Sequence, residues 1–321
     1  MTGEHGTKGR YVRLGLIPTF RQFLVQQDHN LEDLTSLEVD VHWSHYDQLV
    51  WQHVTRIREA PNRPHSLGAL NHFLAEDVIA DHLGADWVNR NVVNADLSSQ
   101  TRNYITLGEH RLLKALSLHR IQELARRLYQ LQSFPWFESV LDGVRTRELS
   151  GAAFEMDVLW LMQIASPHVE TRSEIGEKGS DYDAFALMTD RLVPVEAKAK
   201  DDQTPWSEKT VINTVRAAAR QFPKGGVGLL FLRIPTAWVG PRLEADYTNV
   251  LAEATRQTSR IGAVVTVIDK PHLLTEKTAS VSRHFDLFAT TKCPDHIWQF
   301  CRRLTQLWDA GLTHMAPDPP F

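Results

Sequence analysis

The sequence predicts an α/β protein, a mixed sheet with helices on both faces, behind a mainly α-helical segment. Two observations carry that expectation. Before about residue 150 the apolar residues recur at helical spacing, whereas after Ser150 short β-branched runs alternate with helical stretches. A third, the 321-residue length, suggests about two domains, which the change of pattern divides into residues 1–140 and 141–321.

The elements follow in order. Residues 1–12 are polar and expected to fray. Helical spacing then appears from Phe20 to Val25, from Tyr46 to Arg58 and from Leu67 to Leu83, with Pro61-Asn62-Arg63-Pro64 breaking the second from the third. A longer helix is expected from Glu109 to Leu131; Leu112, Leu116, Ile121, Leu124, Leu128 and Leu131 form its apolar side, leaving Arg111, Lys114, Arg120, Arg126 and Arg127 mostly on the remaining surface. The second half opens with a helix from Glu148 to Ala165. Three short strands follow, over 169–175, 182–188 and 192–198. Thr204-Pro205 supplies a cap and first-turn proline for a helix to Phe222, which Pro223 and Gly225-Gly226 end before a strand over 227–232. A helix over 243–259, a strand over 263–268 and a last helix over 296–308 complete the order αβββαβ, then αβ, then α.

Composition narrows the classes. With 42% hydrophobic and 23% charged residues the chain is neither collagen-like nor disordered, and no run of eighteen apolar residues suggests a membrane span. Met1 to Arg10 lacks the apolar centre of a signal peptide, so a cytoplasmic protein with no membrane partner is expected. Cys293 and Cys301 are too few for a disulfide framework or a cysteine-rich zinc site. The net charge of −4 argues against a constitutive nucleic-acid coat, and residues 101–150, at +3, form the basic stretch. His42, His45 and His53 lack a further ligand at zinc spacing. Trp43, Trp51, Trp87, Trp136 and Phe137 read as core rather than base-stacking platforms, and the arginines of the 109–131 helix as a solvated face rather than a phosphate track.

The chemistry concentrates on one hairpin. Glu196 and Lys198 are two apart on a strand, so their side chains leave the same face, while Val195 and Ala197 take the other. The link to the preceding strand is short enough for a two-residue turn through Thr189-Asp190 or Asp190-Arg191. In the first register Asp183 faces Glu196, in the second Lys198; because the two differ by two residues, Asp183 shares their face in both. Alone, Glu196 and Lys198 would pass for a surface ion pair. Two carboxylates that close repel unless a cation lies between them, and all-oxygen ligation suits magnesium or manganese. Glu155 adds a third acid: it sits among Ala152, Leu159 and Met162 on an apolar helix face, where an acid needs a reason, and reaching toward the same metal is the reason expected.

In that order, Phe154-Glu155 on a helix, Gly179 to Ala186 with Asp181 and Asp183 on the second strand, and Val195-Glu196-Ala197-Lys198 on the third, the chain resembles the PD-(D/E)XK nuclease superfamily of restriction-endonuclease-like fold. The resemblance covers roughly residues 140–270 and is similar to the divergent branches in bacterial restriction, defence and repair. It implies that Asp183 and Glu196 bind Mg2+ or Mn2+, that Glu155 supports the ion directly or through water, and that Lys198 orients or activates the attacking water and stabilises the charged phosphorane. The implied reaction is hydrolysis of a nucleic-acid phosphodiester, DNA favoured over RNA. The family's proline is absent before Asp183, and Pro194 falls inside the third strand, awkward for a central position. Asp181 shares the face of Asp183 and competes with it; Asp183 is preferred because Ala184-Phe185-Ala186 follows directly, as in the family pattern. The helical first domain would serve targeting, sensing or oligomerisation, as a homodimer or with a protein partner. The competing class is a nuclease-like fold without catalysis, kept as a module that binds nucleic acid or protein.

Overall fold

The computed structural model describes residues 67–101, 104–106, 110–132, 134–172, 182–238, 243–275 and 279–309. Its helices are α1 (Leu67–Leu83), the short α2 (Ala85–Val88), α3 (Arg111–Leu131), α4 (Phe137–Thr146), α5 (Leu149–Ala165), α6 (Glu208–Gln221), α7 (Leu243–Arg256) and α8 (Asp295–Asp309). Its strands are β1 (Val169–Thr171), β2 (Ala184–Met188), β3 (Arg191–Ala199), β4 (Gly228–Arg233), β5 (Ile261–Leu273) and β6 (Ala279–Ala289). They form one sheet in the order β1-β2-β3-β4-β5-β6, parallel between β3, β4 and β5 and antiparallel elsewhere. The protein is thus α/β with a six-stranded mixed open sheet.

Alternation along the strands sorts the core into two layers. Val193, Val195, Leu229, Phe231, Ala263 and Val265 join α3, α5 and α8 on one face. Leu230, Leu232, Val264 and Ile268 join Val211 and Val215 of α6 and Leu251 of α7 on the other. The first layer also takes in Ala75, Val78 and Ile79 of α1, so a single apolar cluster crosses residue 140, which itself lies within α4.

Several local expectations shift. The first turn of α6 is capped by Ser207, whose hydroxyl accepts from the Thr210 N–H at 3.0 Å, and not by Thr204. Thr204 is committed elsewhere: its N–H closes a turn to Asp201 O at 2.9 Å and its carbonyl accepts from the Trp238 indole at 2.8 Å. The helix ends where Phe222 packs on the first residue of β4, and a Cβ on Gly228 would meet that ring at 2.6 Å. Strand β6 was not expected, although Val281, Phe285 and Leu287 recur at even spacing; Arg283 between them broke the apolar pattern. Trp87 and Phe137 are buried core residues, as expected; His42, His45, His53, Trp43 and Trp51 lie outside the described residues.

The largest departure concerns α3. Arg120 and Arg127 are buried and Arg126 nearly so, neither solvated nor free to track phosphate. Arg126 pairs with Glu123 at 2.6 Å, and Arg127 with Glu123 at 3.0 Å and with Asp157 of α5 at 2.9 Å. Arg283 of β6 completes the group, pairing with Asp157 at 3.1 Å and with Asp269, its cross-strand neighbour on β5, at 2.6 Å. Burial alone would raise the Glu123 carboxyl, yet Arg126, Arg127 and Arg283 outweigh it and hold the group well below the usual carboxylate range. Asp269 behaves alike, burial being overcome chiefly by Arg283.

Candidate functional site

The β2–β3 hairpin closes through Thr189-Asp190, with Met188 opposite Arg191 and Ala184 opposite Val195. This is the first of the two expected registers, and its next rung sets Asp183 against Glu196. Thr189 takes φ 61°, a left-handed conformation that a β-branched residue adopts only at a cost. Counting alternate rungs from the closing pair, Asp183 and Glu196 fall on a non-hydrogen-bonded rung, where opposed side chains stand closest. Pro194, opposite Phe185, falls on the same kind of rung, so its missing N–H would point toward β4; β4 begins to pair only at Val195, and no ladder bond is lost.

β2 stops at Ala184, and the Asp183 side chain replaces the next rung: its Oδ2 accepts from the Ala197 N–H at 2.6 Å, while its own carbonyl accepts from Arg172 N–H at 2.9 Å. Asp183 is therefore held at both backbone and carboxylate. Asp181 lies outside the described residues.

Glu196 is 0% exposed, on a face it shares with Leu230 of β4. The Lys198 ammonium lies against Glu196 Oε1, yet neither carboxylate oxygen has a hydrogen bond of ordinary geometry. Burial first, and then the Asp183 charge, push the Glu196 carboxyl up to about 8, against the opposing pull of Lys198 and of the Asp183 backbone. A buried carboxylate short of donors beside a second carboxylate is a hard-oxygen donor set, and it fits Mg2+ or Mn2+.

Lys198 is partly exposed, so one side of the group reaches solvent. Lys200, two residues on, is pushed below the ordinary lysine value by burial and then by the Lys198 charge. Sequence reading passed over it, although the alternation Glu196-Lys198-Lys200 was visible. Glu155 is differently placed. Its helix α5 packs on the sheet face of Val195, opposite the face of Glu196, and its carboxylate pairs with Arg147 at 2.5 Å. Among the described residues no three Asp, Glu, His or Cys side chains converge as a metal group. The hairpin register and contacts bring together Asp183, Glu196 and Lys198.

Comparison with protein-family models, with curated proteins and with solved structures gave no match. No described helix is long and apolar enough to cross a membrane.

Proposed function

We propose that the chain is a divalent-metal-dependent nuclease of restriction-endonuclease-like fold that hydrolyses phosphodiester bonds, with DNA favoured as substrate. The observation that carries this reading is the buried, donor-poor Glu196 set against Asp183. The Asp183 carboxylate closes the strand end through the Ala197 N–H, but setting it beside Glu196 only raises the cost of ionising Glu196.

Asp183 and Glu196 would hold Mg2+ or Mn2+, which supplies Lewis-acid polarisation of the phosphate and a more acidic water. Glu196 would have to give up its proton to hold a cation, so affinity would rise with pH toward about 8. Asp183, fixed by the Ala197 N–H, keeps its carboxylate oriented through that change. Lys198 is the group available to stabilise charge that develops on the phosphorus oxygens. Glu155, engaged by Arg147, enters only as more distant support through water. With one such centre per chain, cleavage of both strands of a duplex would favour a homodimer.

The test incubates plasmid, single-stranded DNA and RNA with the protein and Mg2+ or Mn2+, with and without chelator. Chelator-sensitive cleavage that Asp183→Ala and Glu196→Ala each abolish is the expected result; activity retained in both variants would remove the site. The non-enzymatic reading, a binding module on the same fold, draws on the Lys198 contact, which partly neutralises Glu196 without any metal. A melting temperature unmoved by Mg2+ or Mn2+ would favour it, because an ion bound only by the folded state must raise that temperature.

A further inference from the structure

The sheet edge beside Asp183 carries a cation to which the proposed chemistry gives no role. Val169 and Thr171 of β1 stand opposite Ala186 and Ala184 and turn with them toward the first core layer, so Glu170 and Arg172 take the other face, the one that carries Glu196. The Arg172 N–H bonds to the Asp183 carbonyl at 2.9 Å, and Asp183 is the next rung to Glu196. Arg172, Asp183 and Glu196 thus occupy three adjacent strands in register. The acids nearest to Arg172 along these strands are engaged elsewhere: Glu170 pairs with His168 at 2.7 Å, and the Asp183 carboxylate accepts from the Ala197 N–H at 2.6 Å.

The Arg172 side chain is fixed without a carboxylate. One terminal nitrogen donates to the Tyr182 hydroxyl at 2.7 Å, and the guanidinium lies over the Tyr182 ring, 5.0 Å from its centroid. Tyr182 is itself buried in the second core layer with Val211 and Val215 of α6, so the arginine rests on a rigid support. Arg172 remains partly exposed, and among the described residues no Asp or Glu forms an ion pair with it. The tyrosine takes one of five N–H donors, and the rest of the planar fork suits an oxyanion bound through two oxygens. Covering the Tyr182 ring needs no charge. A nucleic-acid strand brought to Asp183 and Glu196 meets two acids, and cations beside them offset the repulsion of its backbone; Lys198 stands on one side of Asp183 and Arg172 on the other.

We propose that Arg172, held by Tyr182, binds a backbone phosphate of the substrate strand, next to the phosphate on which Asp183, Glu196 and Lys198 would act. The proposal rests on the nuclease reading for its ligand. Two strand spacings, roughly 9.5 Å, separate β1 from β3, which gives the fork a neighbouring phosphate instead of the one beside Lys198. A phosphate carries no base identity, so this contact adds affinity equally for every sequence and adds to its salt dependence.

The experiment measures binding of the full chain, in chelator, to short DNA duplexes of two unrelated sequences by fluorescence anisotropy across a potassium chloride series, for wild type, Arg172→Gln and Arg172→Lys. Arg172→Gln is expected to bind both duplexes ~10-fold more weakly and to lower the slope of log affinity against log salt by about one, the share of one phosphate contact. Arg172→Lys, which keeps the charge without the fork, is expected to keep the wild-type slope and to fall between the two in affinity. Unchanged affinity and slope in Arg172→Gln overturn the proposal, as does weaker binding with an unchanged slope, because a purely structural loss releases no fewer counterions. Wild type that binds neither duplex overturns it too. Should Arg172→Gln fail to fold, Arg172→Lys decides, and affinity equal to wild type there overturns the proposal. A 5′-phosphate that adds no affinity assigns the contact to an internal phosphodiester; one that adds affinity in wild type but not in Arg172→Gln assigns it to the end of a strand. Metal-dependent cleavage with Arg172→Gln binding like wild type leaves the nuclease reading standing and removes this one; the expected loss in Arg172→Gln without any wild-type cleavage in Mg2+ or Mn2+ does the reverse.

Discussion

The molecule buries carboxylates in two places, and they respond in opposite ways. Between α3, α5 and the β5–β6 hairpin, Glu123, Asp157 and Asp269 are interleaved with Arg126, Arg127 and Arg283, and Glu123 and Asp269 stay ionised far below their ordinary range. On β3, Glu196 is just as buried, but its neighbours are one lysine and a second acid, and its carboxyl rises to about 8. Burial opposes ionisation equally in both places, so the balance of neighbouring charge decides the sign. The first group is complete as it stands. The second sets two acids against one lysine and is one positive charge short, a deficit that a divalent cation would fill under the proposed function.

The comparison can be broken most sharply at Arg283. Arg283→Met leaves Asp157 and Asp269 short of a buried counter-charge and should cost about 3–5 kcal/mol in chemical denaturation; a loss below ~1 kcal/mol would mean the network is not balanced as described. Lys198→Ala should leave nucleic-acid binding close to wild type and slow cleavage at least ~100-fold, the usual scale for losing one preorganised electrostatic group. Binding lost in step with cleavage would make Lys198 an anchor instead.

Titration sharpens the contrast. The Glu196 value in the folded protein lies above that of the unfolded chain, so its contribution is fully present below about 4.5, the unfolded value, and is lost as pH rises toward about 8. Metal-free protein should therefore lose on the order of 5 kcal/mol over that window on this account, and Glu196→Gln should flatten the slope. An unchanged slope in the variant would refute the assignment. Glu123 and Asp269, depressed on folding, contribute stability above their unfolded values, near pH 4, that disappears as pH falls through their folded ones; the acid limb belongs to the network and the alkaline limb to the site. The smallest effect is at the turn between them in the hairpin. Thr189→Gly relieves a left-handed β-branched residue and should stabilise by about 1 kcal/mol or less, read as a small rise in melting temperature; a loss would show that the Thr189 side chain contributes more than its strain costs.

The sequence by itself determined that Asp183, Glu196 and Lys198 share one sheet face, because strand periodicity is two and both permitted turns preserve parity. It also determined the order of helices and strands from Leu149 to Ile268, since apolar spacing and breaker residues are local signals. Tertiary structure decided the rest. It chose the register through Thr189-Asp190, placed Pro194 where β4 does not yet pair, and removed Glu196 from water. It set Glu155 against Arg147, on the other side of the sheet from Glu196. It also turned Arg120, Arg126 and Arg127 of α3 inward, while Arg111 stayed exposed, because the acids they meet include Asp157 on α5 and Asp202 after β3, and Arg283, on a strand whose pattern it disguised, shares Glu123 and Asp157 with them. A charged residue's spacing shows which way it points along its own element. Whether it ends in water or in an ion pair depends on residues brought beside it by the fold, and no local pattern records those.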